Sequence, residues 1–168
     1  MNNNTINSTL RFVVLLILQV LVLNHFNLFG SINPMVYIVW VVLFPIQKNE
    51  SIVLILSFLL GLGVDFFSDS GGINAAATLF IAYIRVPILN MVLGKSDFDY
   101  VLFNLRSIPL IKAITYISLI TFIHHFIIFG LEFYSISAIL SILSNTFITG
   151  IFSITIIVLG ILLFSKQK

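Results

Sequence analysis

Residues 51–77 read SIVLILSFLLGLGVDFFSDSGGINAAA, and this stretch decides the fold. Ser51–Leu60 is one apolar run interrupted only by serine. A membrane-spanning β-strand would alternate lipid-facing and lumen-facing residues over about ten positions. A long apolar helix instead satisfies each backbone N–H within its own segment, as hydrocarbon requires. Residues 68–72, SDSGG, then carry strong turn chemistry and reverse the chain. Phe12–Leu23 is a second continuous apolar run of the same kind.

Composition extends this reading to the whole chain. Of 168 residues, 60% are hydrophobic and 8% charged, with a mean hydropathy of +1.17. A soluble domain is roughly 25% charged, so these residues cannot cover a water-facing surface. A bilayer core about 30 Å thick takes about 20 apolar residues per helix, which leaves room for about six spans. The expected architecture is an all-α membrane protein forming one transmembrane domain over residues 1–168. The absence of cysteine excludes disulfides, thiolate metal sites and cysteine nucleophiles. Met1–Thr9 is polar and uncharged, unlike the basic start of a signal peptide. The first apolar run is therefore expected to be a retained helix that directs insertion.

The predicted spans cover residues 10–29, 33–46, 51–67, 73–93, 108–129 and 136–164. The second is short and carries Pro34 and Pro45, which points to tilting or interruption. Pro87 falls inside the fourth, and the sixth is long enough to tilt or break near Gly150. Residues 96–106 are expected to form an interfacial helix, with Phe98, Val101, Leu102 and Leu105 at helical spacing. Cytoplasmic loops carry the excess of Lys and Arg. With both termini inside, the inner segments hold Arg11, Lys48, Lys95, Arg106, Lys112, Lys166 and Lys168, seven of the eight basic residues. Asp65, Asp69 and Glu132 lie at or near the opposite side.

Two charges are unexplained by lipid. Asp65 sits near the outer end of span three, where a carboxylate needs a partner or water. It either caps the turn into span four through free backbone N–H groups or serves a function. Arg85 lies inside span four, as a functional residue or as a side chain snorkelling to the headgroups. A pair between them must bridge a depth difference of roughly 13 Å. Gly61, Gly63 and the Ala75–Ala77 run, with Ala76 at its centre, offer small helix-packing surfaces, and Gly71 and Gly72 form the turn. His124 and His125 point about 100° apart on a helix and make a poor metal chelator. No Walker A loop, G-x-S-x-G, H-E-x-x-H or internal repeat is present. No enzyme activity, cofactor, metal or nucleic-acid partner is expected.

In order along the chain stand Asn33-Pro34-Met-Val-Tyr37, Phe44-Pro45, Phe58-Leu-Leu-Gly61-Leu-Gly-Val-Asp65, Gly71-Gly72-Ile-Asn-Ala75-Ala76-Ala77 and Ala82-Tyr83-Ile-Arg85. This series resembles the rod shape-determining protein MreD family, in the form found in Bacteroidetes-like bacteria, over nearly the whole chain. The resemblance implies a fold similar to the substrate-binding S component of energy-coupling-factor transporters. It implies a non-enzymatic subunit of the cell-elongation complex in the bacterial inner membrane. Such a subunit binds the bitopic protein MreC and, through it, links MreB filaments to the peptidoglycan synthases RodA and a class B penicillin-binding protein. A homo-oligomer is compatible with it. Gly61, Gly63, Asp65, Gly71, Gly72, Ala76 and Arg85 are then structural or interaction residues. The alternative is a small-molecule binding or transport subunit of the S-component type.

Overall fold

A computed structural model describes residues 3–27, 32–46, 50–94 and 108–164. The order is α1 (Asn3–Leu21), α2 (Val39–Leu43), α3 (Ser51–Ser68), α4 (Ile73–Leu93), α5 (Leu110–Phe133) and α6 (Ile139–Phe164). Short 3₁₀ turns at Leu23–His25 and Ile136–Ala138 extend the end of α1 and the start of α6. Among the described residues, five segments are long and apolar enough to cross a membrane: Asn7–His25, Ser51–Ser68, Ile73–Leu93, Leu110–Phe133 and Ile136–Leu163. The protein is a multi-pass helical membrane protein.

Five such helices are one fewer than the six expected, and the difference lies in residues 33–46. They are not a spanning helix: only Val39–Leu43 is α-helical. Pro34 and Pro45 flank it, and proline supplies no N–H and disfavours helix in the residue before it. The segment is nevertheless central, with Tyr37, Ile38 and Val41 fully buried. Its early residues bond to Gln19, near the end of α1. Trp40 Nε1 reaches back to the Ser8 carbonyl near the start of α1 at 2.9 Å. Arg85 binds the later carbonyls beside Glu50, the residue before α3. The segment thus runs back along the bundle, antiparallel to α1.

The helices pack in sequence, with the most extensive contact between α3 and α4, then α4–α5 and α5–α6. Gly61 explains the first. A Cβ there would lie 2.5 Å from the Asn74 carbonyl oxygen and 2.6 Å from the Ala75 Cα, so only glycine admits this approach. Gly63 faces Leu16 of α1. α6 is helical throughout, including Gly150, where Phe122 of α5 fills the space a side chain would take. The expected interfacial helix at 96–106 lies outside the described residues.

Candidate functional site

The α3–α4 turn is built by its charge pattern. Asp69 closes α3 in a left-handed conformation, with φ 51°, and Gly71 and Gly72 follow at φ 64° and 96°. These positive φ values favour glycine, which has no Cβ to clash. The first N–H groups of α4 have no intrahelical acceptors. Asp65, one turn before the end of α3, supplies them. Its Oδ1 accepts from Asn74 N at 2.9 Å, Asn74 Nδ2 at 3.0 Å and Ser70 Oγ at 2.6 Å. Its Oδ2 accepts from Ala75 N at 2.8 Å. Both oxygens are committed, and the negative charge sits at the positive end of the α4 dipole. Of the two readings of Asp65, this is capping. In the alanine run, Ala75 and Ala77 are buried against the bundle, whereas Ala76 is exposed.

Arg85 is joined to Glu50, not to Asp65. Nη2 and Nε donate to the same Glu50 Oε2 at 2.8 and 3.2 Å. Nη1 donates to the carbonyls of Val41 at 3.1 Å and Phe44 at 2.9 Å, and Nη2 also reaches Pro45 O at 3.4 Å. The side chain is 2% exposed, so it does not snorkel. The planar guanidinium thus serves a carboxylate and three carbonyls that α2 and its C-terminal exit leave without helical donors.

The other end of the broken segment has matching partners. Gln19 Oε1 accepts from Val36 N at 2.8 Å, and its Nε2 donates to Pro34 O at 3.1 Å. Met35 N donates to Ser153 Oγ of α6 at 3.0 Å. Ser153 lies 3.0 Å from His125 Nε2, and His125 Nδ1 lies 2.8 Å from the Thr121 carbonyl. A carbonyl only accepts, so the His125 proton is on Nδ1 and the Ser153 hydroxyl donates to Nε2.

His124 takes the opposite tautomer. The Asn74 amide nitrogen faces Asp65, so its Oδ1 must accept, and Tyr37 Oη donates to it at 2.8 Å. The Tyr37 oxygen then accepts from His124 Nε2–H at 3.0 Å. His124 Nδ1 is left as a bare, buried acceptor. The two histidines are therefore pinned in different hydrogen-bond chains. No group of three or more metal-ligating side chains occurs among the described residues.

Beside the Asp65 turn lies a cavity of about 710 Å³. Tyr37, Asn74 and Ser70 contribute to its wall, together with Gln19 from α1, Asn24 from the 3₁₀ turn after it and Glu132 from α5. The structure therefore brings Gly71 to the wall of one cavity, with Asp65 behind that wall through its bonds to Ser70 and Asn74, and places Arg85 at the far end of the broken segment.

Sequence reasoning missed Gln19, Tyr37 and Glu50 as organising residues. Glu50 carried a usable signal, since it is the acid immediately preceding α3, at the end toward which Arg85 lies. Gln19, a polar residue within an apolar helix, carried another.

Fold and site together define a multi-pass α-helical membrane protein whose buried polar side chains secure a largely non-helical segment. Family models, curated proteins and solved structures each yield no match to this chain.

Proposed function

We propose that this chain is a scaffold subunit of the MreD kind. It would bind an MreC-like single-span protein in the bacterial inner membrane and link MreB filaments to RodA and a class B penicillin-binding protein. In this reading it crosses the bilayer six times, with residues 33–46 as the second, largely non-helical crossing and both termini cytoplasmic. Non-helical backbone is tolerated at membrane depth when protein buries it. The charge asymmetry supports the orientation, because the Glu132 and Asp69 end is the one that the basic residues of the predicted loops avoid.

One observation carries the reading. The charged residues that stood out as candidates for chemistry, Asp65 and Arg85, spend their hydrogen bonds on holding the fold. Lipid-facing surface remains for contact with neighbours: α1 exposes Leu10, Val14, Ile17 and Leu21, and α6 exposes Leu140, Phe147 and Ile151. The test is disulfide crosslinking in cells. The chain has no cysteine, so thiols introduced singly along α1 and α6 report on their own positions. A ladder of crosslinks at helical spacing to one single-span protein is expected. Capture of no such protein from any helix face would overturn the proposal.

The second reading, a small-molecule binding subunit, is favoured by the cavity of about 710 Å³ beside Asn74. A bound solute retained stoichiometrically through purification would support it over the first.

A further inference from the structure

We infer that the cavity beside the Asp65 turn takes a small organic cation, a polar solute carrying at least one protonated amine. This rests on the second reading above, that the cavity binds a solute at all.

Size permits it, since small-molecule sites occupy about 300–1,000 Å³ and this one measures about 710 Å³. Its wall is mixed, with Met35, Val64, Phe67, Ile73 and Ile128 among polar side chains that are largely self-satisfied. Gln19 Nε2 is engaged by Asn24 Oδ1 and Pro34 O, and Asn24 Nδ2 by Ser68 Oγ. Tyr37 is engaged by Asn74 and His124, and Asn74 by Asp65 and Ser70. These side chains have little donor capacity to offer an anion.

The negative charge of the wall is concentrated in two carboxylates. Asp69, held outward at the left-handed end of α3, and Glu132, in the last turn of α5, both line the cavity and are exposed. Neither forms an ion pair among the described residues, where Arg85–Glu50 is the salt bridge seen. Asp65 adds a third negative charge one layer behind the wall, through its bonds to Ser70 and Asn74. Among the described residues no Lys or Arg lines the cavity, and His25 and the buried Tyr37 are the other titratable groups that do. An anion would meet three carboxylates and no fixed cation. An amine would meet two carboxylates able to accept charge-assisted hydrogen bonds.

The test uses the full chain in nanodiscs of zwitterionic lipid. Spermidine is the probe, and triacetylspermidine, of the same backbone without charge, is the control. Binding is read by calorimetry and by protection of a Met35→Cys thiol, at a cavity-lining position, from a bulky charged maleimide. Spermidine is expected to protect the thiol and the control to protect it far less. Asp69→Asn and Glu132→Gln, at exposed side chains outside the structural networks, are each expected to weaken spermidine roughly tenfold. Equal protection by both compounds would overturn the cation assignment while leaving a solute site in place. Free labelling that neither compound slows, or spermidine binding indifferent to both substitutions, would also overturn it. A Met35→Cys thiol that never reacts would show a closed cavity and remove the solute-binding reading itself.

Discussion

Arg85 of α4 and Glu50, the residue before α3, meet through two hydrogen bonds to one carboxylate oxygen, 2.8 and 3.2 Å long. The same guanidinium closes the backbone of the broken segment at Val41, Phe44 and Pro45. Its planar fork does two jobs that a point charge cannot combine. Phe44 packs against it as well, with the ring centroid 5.6 Å from the guanidinium carbon.

Substitution separates those jobs. Arg85→Lys keeps the charge but loses the fork, and Arg85→Met loses both. Both are expected to destabilise the protein, Arg85→Met by about 3–5 kcal/mol because it strands a carboxylate and buried carbonyls. The double exchange Glu50→Arg with Arg85→Glu should not rescue, because a carboxylate at position 85 would face carbonyl oxygens. Thermal unfolding in detergent, followed by fluorescence of the single tryptophan Trp40, gives the ranking. Full rescue by the exchange would mean that the ion pair alone matters.

At the other end of α3, Asp65→Asn puts an amide N–H where Ala75 N–H or Asn74 N–H now donates. The expected loss is about 1–3 kcal/mol. Asp69→Asn, at an exposed side chain beside the turn, should change stability by less than about 0.5 kcal/mol. Melting temperatures of the two variants, measured side by side, check the contrast.

Glycines in the spans divide by what surrounds them. Gly61→Ala should cost about 1–3 kcal/mol or more through overpacking against the α4 backbone. Gly130, in α5, has nothing within 4 Å of the place a Cβ would occupy. Gly130→Ala should leave stability unchanged or raise it by up to about 1 kcal/mol. The same melting assay decides, and equal effects at both sites would contradict the close α3–α4 approach.

Tautomers of the histidine pair are a spectroscopic prediction. ¹⁵N chemical shifts should place the proton on Nδ1 of His125 and on Nε2 of His124. Tyr37→Phe removes the acceptor that fixes His124 and should change its signals while leaving those of His125. Matching tautomers in the two rings would refute the hydrogen-bond directions that Asn74 and Thr121 impose.

Amide exchange tests the broken segment directly. Gln19→Leu deprives Val36 N–H of its acceptor at 2.8 Å, and Ser153→Ala does the same to Met35 N–H. Each should speed exchange at 35–37 before it affects α4 or α5, as local opening requires.

Much of the helical framework was legible in the chain. Residues 73–93 were bounded as α4 is, and 51–67 differ from α3 by one residue, because Gly71, Gly72 and the left-handed Asp69 leave the backbone little choice there. Residues 33–46 were read as a short span because the hydropathy of Met35–Phe44 is that of a helix. Only the flanking prolines argued otherwise. The candidate site was partly legible. Asp65 and Arg85 were singled out by the cost of a charge in lipid, and their mismatch in depth already argued against pairing.

By itself the sequence determined the solvent and the repeated helix-and-turn plan. Charge scarcity and unbroken apolar runs are local properties, and hydrocarbon forces each such run to satisfy its own backbone. Tertiary structure alone decided what the few polar residues do. A largely non-helical segment buried among helices needs donors and acceptors from elsewhere, and these come from Gln19, Arg85 and Ser153, which lie 15 to 118 residues away from their partners along the chain. Local pattern cannot encode such partnerships, because they exist only once the helices have packed around the segment.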